Sequence, residues 1–133
     1  MGQIRKLMFV KPRTVKVGDS VVEAAKLMKG EETGIAPIVE DGRLIGVVTD
    51  HDITLRVVAE GRDPSTTKVE EVASRDLVTI DPDQALDEAL AVMAHHDVRR
   101  LPVIEEDGTL VGMVAHADVL RHVEAERAEA VFA

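Results

Sequence analysis

The sequence contains no cysteine, tryptophan or tyrosine, and only two of its 133 residues are phenylalanine. The absence of cysteine excludes a disulfide framework, a thiolate zinc site and a cysteine nucleophile, and it agrees with a reducing compartment. With so few aromatic side chains, any bound ring would have to be held by aliphatic walls. The chain must also build its core from aliphatic residues, which it has in sufficient number because 45% of its residues are apolar.

Motifs for independent catalysis are missing as well. Serine occurs only at positions 20, 65 and 74, and no phosphate loop, nucleophile elbow or dinucleotide glycine fingerprint is present. We therefore expect that the protein is not an enzyme.

Long apolar runs and an excess of positive charge are absent too. The longest runs, such as Leu44–Val48, are much shorter than the roughly 20 residues of a membrane-spanning helix. The start, MGQIRKLMFVKPR, lacks the hydrophobic region of a signal peptide. A net charge of −9 disfavours nucleic acid, since affinity for it comes from Lys and Arg that neutralise phosphates. We expect a cytoplasmic protein with neither a membrane nor a nucleic acid as partner.

The sequence does contain an internal repeat. Residues 37–53 read PIVEDGRLIGVVTDHDI, and residues 102–119 read PVIEEDGTLVGMVAHADV. Each copy follows a segment with helical apolar spacing, at 21–28 or 85–93, and each of these helices follows a short apolar segment, VKV or VTI. Both halves are thus predicted to run strand, helix, strand, strand, helix.

The pattern also predicts turns, caps and a core. An Asp-Gly turn between short branched runs is typical of a hairpin, and Asp83 is a candidate N-cap of the second long helix. Continuous apolar runs indicate strands that are covered on both faces. The residues expected in the core are Ala25, Leu27, Met28, Ile45, Val47, Leu86, Leu90, Met93, Val103 and Val111.

A half of about 60 residues leaves much apolar surface uncovered, so the two copies are expected to form one folding unit. The predicted fold class is α/β, more specifically mixed α+β. We expect tandem β-α-β-β-α motifs that are related by a pseudo-twofold axis and whose sheets pack face to face. We assign one module to 1–133. Its parts are a first motif at 8–60, a connector at 61–71, a second motif at 72–123 and a helical tail at 124–133.

The order of these motifs resembles tandem cystathionine β-synthase (CBS) domains, the Bateman module of free-standing bacterial proteins, over about residues 8–123. The resemblance implies a regulatory module that senses an adenosine-containing ligand such as AMP, ADP, ATP or S-adenosylmethionine. It implies ligand clefts between the two copies, with no required cofactor and no metal. The regulated protein partner remains unknown.

The resemblance also implies roles for individual residues. In one cleft Asp52 would bond the ribose hydroxyls, Thr49 would lie near the ribose or phosphate, and Arg99 and Arg100 of the other copy would take the phosphates.

The other cleft departs from this pattern. It keeps Asp118, but Ala115 replaces the threonine, and Gly34 and Ile35 replace the basic pair. Pro37 and Pro102, which follow these positions in the two copies, complete the set of candidate ligand-binding residues.

Structural explanations stand beside these roles. Asp52 could complement the dipole of a helix N-terminus that Asp50 caps, and Arg99 and Arg100 could be solvated charges. Ala115 and Ile35 favour an alternative function, a ligand-free dimerisation scaffold with degenerate clefts.

The five histidines, at 51, 95, 96, 116 and 122, are poorly spaced for one metal site, so we expect none. A homodimer is expected, because CBS pairs usually associate through exposed helix faces. In this sequence the apolar helical residues Ile53, Val57 and Val119 are expected on such faces.

Overall fold

The computed structural model describes residues 3–132, which form two compact units. One unit is Arg13–Leu77. The other combines the N-terminal segment up to Pro12 with the chain from Val78 onward. Each unit contains a three-stranded sheet and helices, so the predicted mixed α+β fold class is confirmed.

The chain begins with a 3₁₀ turn at Ile4–Lys6. The elements that follow, in chain order, are β1 (Phe9–Val10), β2 (Val15–Lys16), α1 (Val21–Glu31), β3 (Ile35–Glu40), β4 (Arg43–Thr49), α2 (Asp50–Ile53), α3 (Val69–Val72), α4 (Leu86–His96), β5 (Arg100–Ile104), β6 (Leu110–Ala115) and α5 (His116–Phe132). A π-helical turn, Thr54–Val58, directly continues α2. Within the described residues, no helix has the length and apolarity needed to cross a membrane.

In the Arg13–Leu77 unit the sheet order is β2-β3-β4. The predicted strand at VKV is β2, which runs parallel to β3, and β3 and β4 form the predicted antiparallel hairpin. One face of α1 supplies buried residues to this core, because its apolar side chains recur at helical spacing: Val21, Ala24, Leu27 and Met28.

In the other unit the sheet order is β1-β6-β5, and its third strand was not predicted. The VTI segment at 78–80 forms no strand; Ile80 makes only an isolated parallel bridge to Val103. The third strand is instead β1, which pairs antiparallel with β6 and sets Val10 opposite Gly112.

Glycine at position 112 allows this pairing. A Cβ at Gly112 would lie 2.8 Å from the Met8 sulfur and 3.1 Å from the Phe9 carbonyl oxygen. Gly46 has the same role in the first hairpin, where a Cβ would lie 3.3 Å from the Ser74 carbonyl oxygen. Each glycine therefore admits a third segment beside its hairpin.

The connector between the repeats is folded against the Arg13–Leu77 unit. Thr67 is buried and donates a hydrogen bond to the Asp63 carbonyl at 2.8 Å. Glu71 accepts a hydrogen bond from the Lys68 N–H at 2.7 Å and pairs with Arg62, and these contacts lower the pKa of Glu71.

Half of the predicted core residues are buried and half are not. The buried ones are Leu27, Met28, Leu86, Met93 and Val103. Ala25 is exposed, which makes that prediction wrong, because Ala24 occupies the inward face of α1. The others lie half-buried at the edges of their faces: Ile45, Val47, Leu90 and Val111.

The second long helix begins later than predicted, so Asp83 is not its N-cap. The N-cap is Ala85, whose N–H donates to the Glu88 carboxylate at 3.2 Å. Asp83 instead pairs with Arg5 at 3.2 Å, and this contact raises the pKa of Arg5.

The apolar helix surface also differs from the expectation. Val57 and Val119 are fully buried and Ile53 is half-buried, because these residues pack into the cores of their units. The large apolar side chains that are exposed on the described helical segments are instead Leu55, Val58 and Leu120.

Met93 is 1% exposed, so Met93→Ala should lower the free energy of unfolding by about 2 to 5 kcal/mol. Leu90→Ala, on the same helix but half-buried, should cost clearly less because part of its surface already meets water. Urea unfolding of both variants measures the difference. Equal losses would contradict the assigned orientation of α4.

Candidate functional site

Thr49 and Asp52 form a reciprocal pair at the start of α2. The Thr49 hydroxyl accepts a hydrogen bond from the Asp52 N–H at 3.1 Å, and Asp52 Oδ2 accepts one from the Thr49 N–H at 2.9 Å. This arrangement is a capping box, in which two helix-terminal donors are satisfied at once. The Thr-x-x-Asp motif therefore has a structural role in this unit.

Asp52 is also enclosed: only 7% of its surface is exposed. The expectation that Asp50 caps this helix end is wrong, because Thr49 is the N-cap and Asp50 is the first helical residue. Directly beyond, the chain forms a π-helical turn in which the Ala59 N–H donates to the Thr54 carbonyl at 2.9 Å. Short π-helical turns inside helices often accompany functional sites.

Arg99 and Arg100 line an open cleft of about 430 Å³ in the other unit. The remaining lining residues are Ala115, His116 and Ala117, at the junction of β6 and α5. Both arginines are exposed, and within residues 3–132 neither side chain makes an ion pair or hydrogen bond. The cleft thus offers two guanidinium groups that no carboxylate of the described chain neutralises.

Hairpin pairing explains why these residues meet. Arg100 lies opposite Ala115, and the His116 N–H donates to the Arg99 carbonyl at 2.7 Å. The first hairpin has the same geometry: Ile35 lies opposite Thr49.

The equivalent helix-start contact is also present, because the Asp50 N–H donates to the Gly34 carbonyl at 2.9 Å. In both units, the residue just before the first strand of the hairpin therefore lies beside the first residue of the helix that follows the second strand.

Asp118 differs from its equivalent, Asp52. It is exposed and pairs with Arg121 one turn along α5 at 2.5 Å. Ala115 has no hydroxyl group, so it cannot accept a hydrogen bond from a backbone N–H of the first turn as Thr49 does. A complete capping box therefore cannot form at the start of α5. The two Asp residues of the repeat are therefore not interchangeable.

Pro37 and Pro102 are buried within their hairpins, opposite Val47 and Met113. Ile35 is half-buried at the end of its strand. Of these three candidate residues, Ile35 has the most accessible surface.

The structure brings together residues of one motif: Ile35 with Thr49, and Arg100 with Ala115. The assignment of Asp52 and the arginine pair to one ligand remains a prediction. Sequence reasoning missed His116 as a neighbour of the arginines, although the hairpin register, counted from the Asp-Gly turn, could have placed it there.

Histidines are not gathered into a metal centre in the part of the chain that the structure describes. There, no three His, Cys, Asp or Glu residues are placed to hold one ion. His95 and His96 make an edge-to-face ring contact, with centroids 4.8 Å apart.

The model of the CBS domain family matches residues 4–59 and 69–125. Among curated proteins, the CBS domain-containing protein YhcV of Bacillus subtilis is 42% identical over 119 residues, which cover 90% of this chain and 84% of YhcV. The crystal structure of Hypoxic Response Protein I, a Mycobacterium tuberculosis protein described with two coordinated zinc ions, is 39% identical with a TM-score of 0.79, covering 92% of this chain and 99% of that one.

Two solved structures at lower identity share the fold. The CBS domain pair of MJ0100, in complex with 5-methylthioadenosine and S-adenosylmethionine, is 24% identical with a TM-score of 0.81, covering 95% of this chain and 98% of that chain. CBSX2 in complex with AMP is 21% identical with a TM-score of 0.79, and the coverage is 96% and 99%.

Asp52→Ala should lower the free energy of unfolding by about 0.5 to 2 kcal/mol, because the Thr49 N–H loses its side-chain acceptor and with it one of the two bonds of the capping box. Asp118→Ala should cost less than about 1 kcal/mol, since it removes only an exposed ion pair. Chemical denaturation of both variants tests this asymmetry, and Asp52→Asn, which keeps a side-chain oxygen to accept from Thr49, should recover part of the loss. A larger loss for Asp118→Ala would refute the difference.

Proposed function

Because this chain belongs to the CBS domain family, with two such domains in tandem, we propose that it is a non-enzymatic regulatory module that binds an adenosine-containing ligand of the AMP, ADP and ATP class. Two proteins of the same fold support this proposal, since one is described in complex with AMP and the other with S-adenosylmethionine and 5-methylthioadenosine. The charge and hydropathy of the sequence favour a cytoplasmic location. S-adenosylmethionine is a further ligand to test.

The observation that carries the proposal is the cleft at Arg99 and Arg100. In a chain with 25 acidic and 16 basic residues, these two adjacent arginines have no carboxylate partner among the described residues, so both charges remain available to a ligand. A guanidinium group presents paired donors that match phosphate oxygens. The small side chains of Ala115 and Ala117 leave room for such a group in the cleft.

In this proposal Asp52 binds the ribose. The capping box uses Oδ2 of Asp52, so the ribose hydroxyls would donate to Oδ1. The Thr49 N–H, which donates to Oδ2, fixes the orientation of that carboxylate. Ile35 belongs with Asp118 to the other, degenerate cleft, where it offers only aliphatic contact, and Pro37 and Pro102 lie buried within their hairpins.

Arg100→Ala should weaken binding of AMP and ATP about 10- to 150-fold and leave adenosine nearly unchanged, because the lost contact is to phosphate. Asp52→Ala should weaken all three ligands to a similar degree, and Asp118→Ala should do much less. Isothermal titration, at a temperature where every variant is folded, measures these affinities.

The matched control is Arg43→Ala, since Arg43 lies at the opposite end of β4 from Thr49. Unchanged AMP affinity in both Arg100→Ala and Asp52→Ala, or a dominant effect of Asp118→Ala, would show that the roles are misassigned.

A ligand-free dimerisation scaffold is the second candidate function. Ala115 and Ile35 favour it, because each replaces a polar residue that the family resemblance leads one to expect. Mass spectrometry of the protein purified under native conditions separates the two functions: a nucleotide carried through purification supports the sensor. No bound molecule, together with no titratable binding of AMP, ADP, ATP or S-adenosylmethionine, would support the scaffold.

Both functions are compatible with a homodimer, which we propose forms through exposed helix faces. Leu55 and Val58 are 49% and 68% exposed on consecutive turns, and burial of such side chains stabilises an interface. Light scattering at tens of micromolar should give about twice the 14.4 kDa chain mass. Val58→Lys should shift the protein toward monomer, whereas Lys26→Ala, on the exposed face of α1, should not; a wild-type monomer would refute the proposal.

A further inference from the structure

The two units differ in charge at equivalent positions. Gly34 and Asp50 occupy in one unit the places that Arg99 and His116 occupy in the other, as the matching backbone hydrogen bonds of 2.9 and 2.7 Å show. One hairpin end therefore presents a carboxylate, and the other presents a guanidinium group and an imidazole.

The carboxylate of Asp50 is held in place. A Cβ at Gly34 would lie 2.7 Å from Asp50 Oδ2, so the carboxylate stands where a side chain at position 34 would begin. Asp50 Oδ1 accepts a hydrogen bond from the His51 N–H at 2.9 Å. A phosphoryl group approaching this hairpin end would meet a fixed negative charge, and neither Gly34 nor Ile35 offers a side-chain donor in place of the two arginines.

At the other hairpin end every polar side chain that lines the cleft can donate. The three donors are Arg99, Arg100 and His116, and the other lining residues are alanines. Within the described residues the His116 imidazole makes no hydrogen bond, so its ring nitrogens remain available to a ligand. The nearest acidic residue along the helix, Asp118, pairs with Arg121.

We propose that His116 is a specificity-determining residue that, with Arg99 and Arg100, makes this cleft a site for phosphoryl groups. Asp50 excludes phosphoryl groups from the equivalent end of the other unit. The chain accordingly takes one phosphorylated ligand, and affinity rises with the number of phosphoryl groups. This inference deepens the proposed function and relies on it only for the adenosine part of the ligand.

Inorganic pyrophosphate tests the phosphoryl site without the nucleoside. Titration calorimetry of the full chain should show saturable binding with one pyrophosphate per chain. His116→Asp, which copies the residue of the other unit, should weaken that binding about 10- to 100-fold, because it removes a donor and adds a like charge. His51→Asp introduces the same charge change in the other unit and should leave the affinity within about twofold, which makes it the matched control.

Nucleotide titrations with the same variants test selectivity. His116→Asp should reduce the ratio of ATP to adenosine affinity by about 10-fold or more, while adenosine affinity stays constant. If His116→Asp fails to fold, as judged by thermal unfolding, Ala117→Asp places a carboxylate in the same cleft and should have the same effect.

Three results would overturn the inference: no pyrophosphate binding by the wild-type chain at millimolar concentration, two equivalent pyrophosphate sites per chain, or wild-type affinity in a folded His116→Asp variant. Failure of the proposed function has a different signature. In that case pyrophosphate binds and responds to His116→Asp, but adenosine, AMP and ATP show no affinity beyond that of their phosphates.

Discussion

The contact on which both units depend is a backbone hydrogen bond at the open end of each hairpin. It joins the first residue of the helix to the residue before the hairpin's first strand, Asp50 to Gly34 in one unit and His116 to Arg99 in the other. Because antiparallel register is fixed by the Asp-Gly turn, this contact places four side-chain positions together irrespective of what occupies them. The backbone supplies the site, and the side chains decide which chemistry it has.

The Thr-x-x-Asp motif illustrates how a helix cap can hold an acidic side chain in one orientation. In the Arg13–Leu77 unit Thr49 and Asp52 satisfy each other's backbone donors, which holds the carboxylate in one orientation. A preoriented acceptor loses less conformational entropy when a ligand arrives. The second unit lacks the hydroxyl, and its Asp118 turns to Arg121 on the surface. Duplicated sequence therefore does not imply duplicated local structure in this chain.

The sequence alone was sufficient to predict the repeat, the two hairpins and the helices α1 and α4, because each has a strong local pattern of apolar residues. It was not sufficient for β1, since the two-residue strand at Phe9 has no periodicity and pairs only because Gly112 leaves room beside Met8. The inward face of β4 was also misjudged. A continuous apolar run does not show which alternate residues are buried, and in β4 they are Leu44, Gly46 and Val48. To recognise that Asp50 and His116 lie at equivalent places in the two units, one needs the strand register of each hairpin as well as the alignment of the two repeats.

The difference between the units at this hairpin end extends to their stability. Thr33, just before Gly34, has a buried hydroxyl without a hydrogen-bond partner among the described residues, whereas its equivalent, Val98, packs against the apolar core. An unpaired buried hydroxyl costs about 1 to 3 kcal/mol, and valine of nearly the same shape would avoid that cost. The Arg13–Leu77 unit thus holds a polar residue where folding alone favours an apolar one, next to the position where it carries Asp50 in place of His116. Both departures lie at one end of one hairpin, where the described residues of the two units differ in polarity as well as in charge.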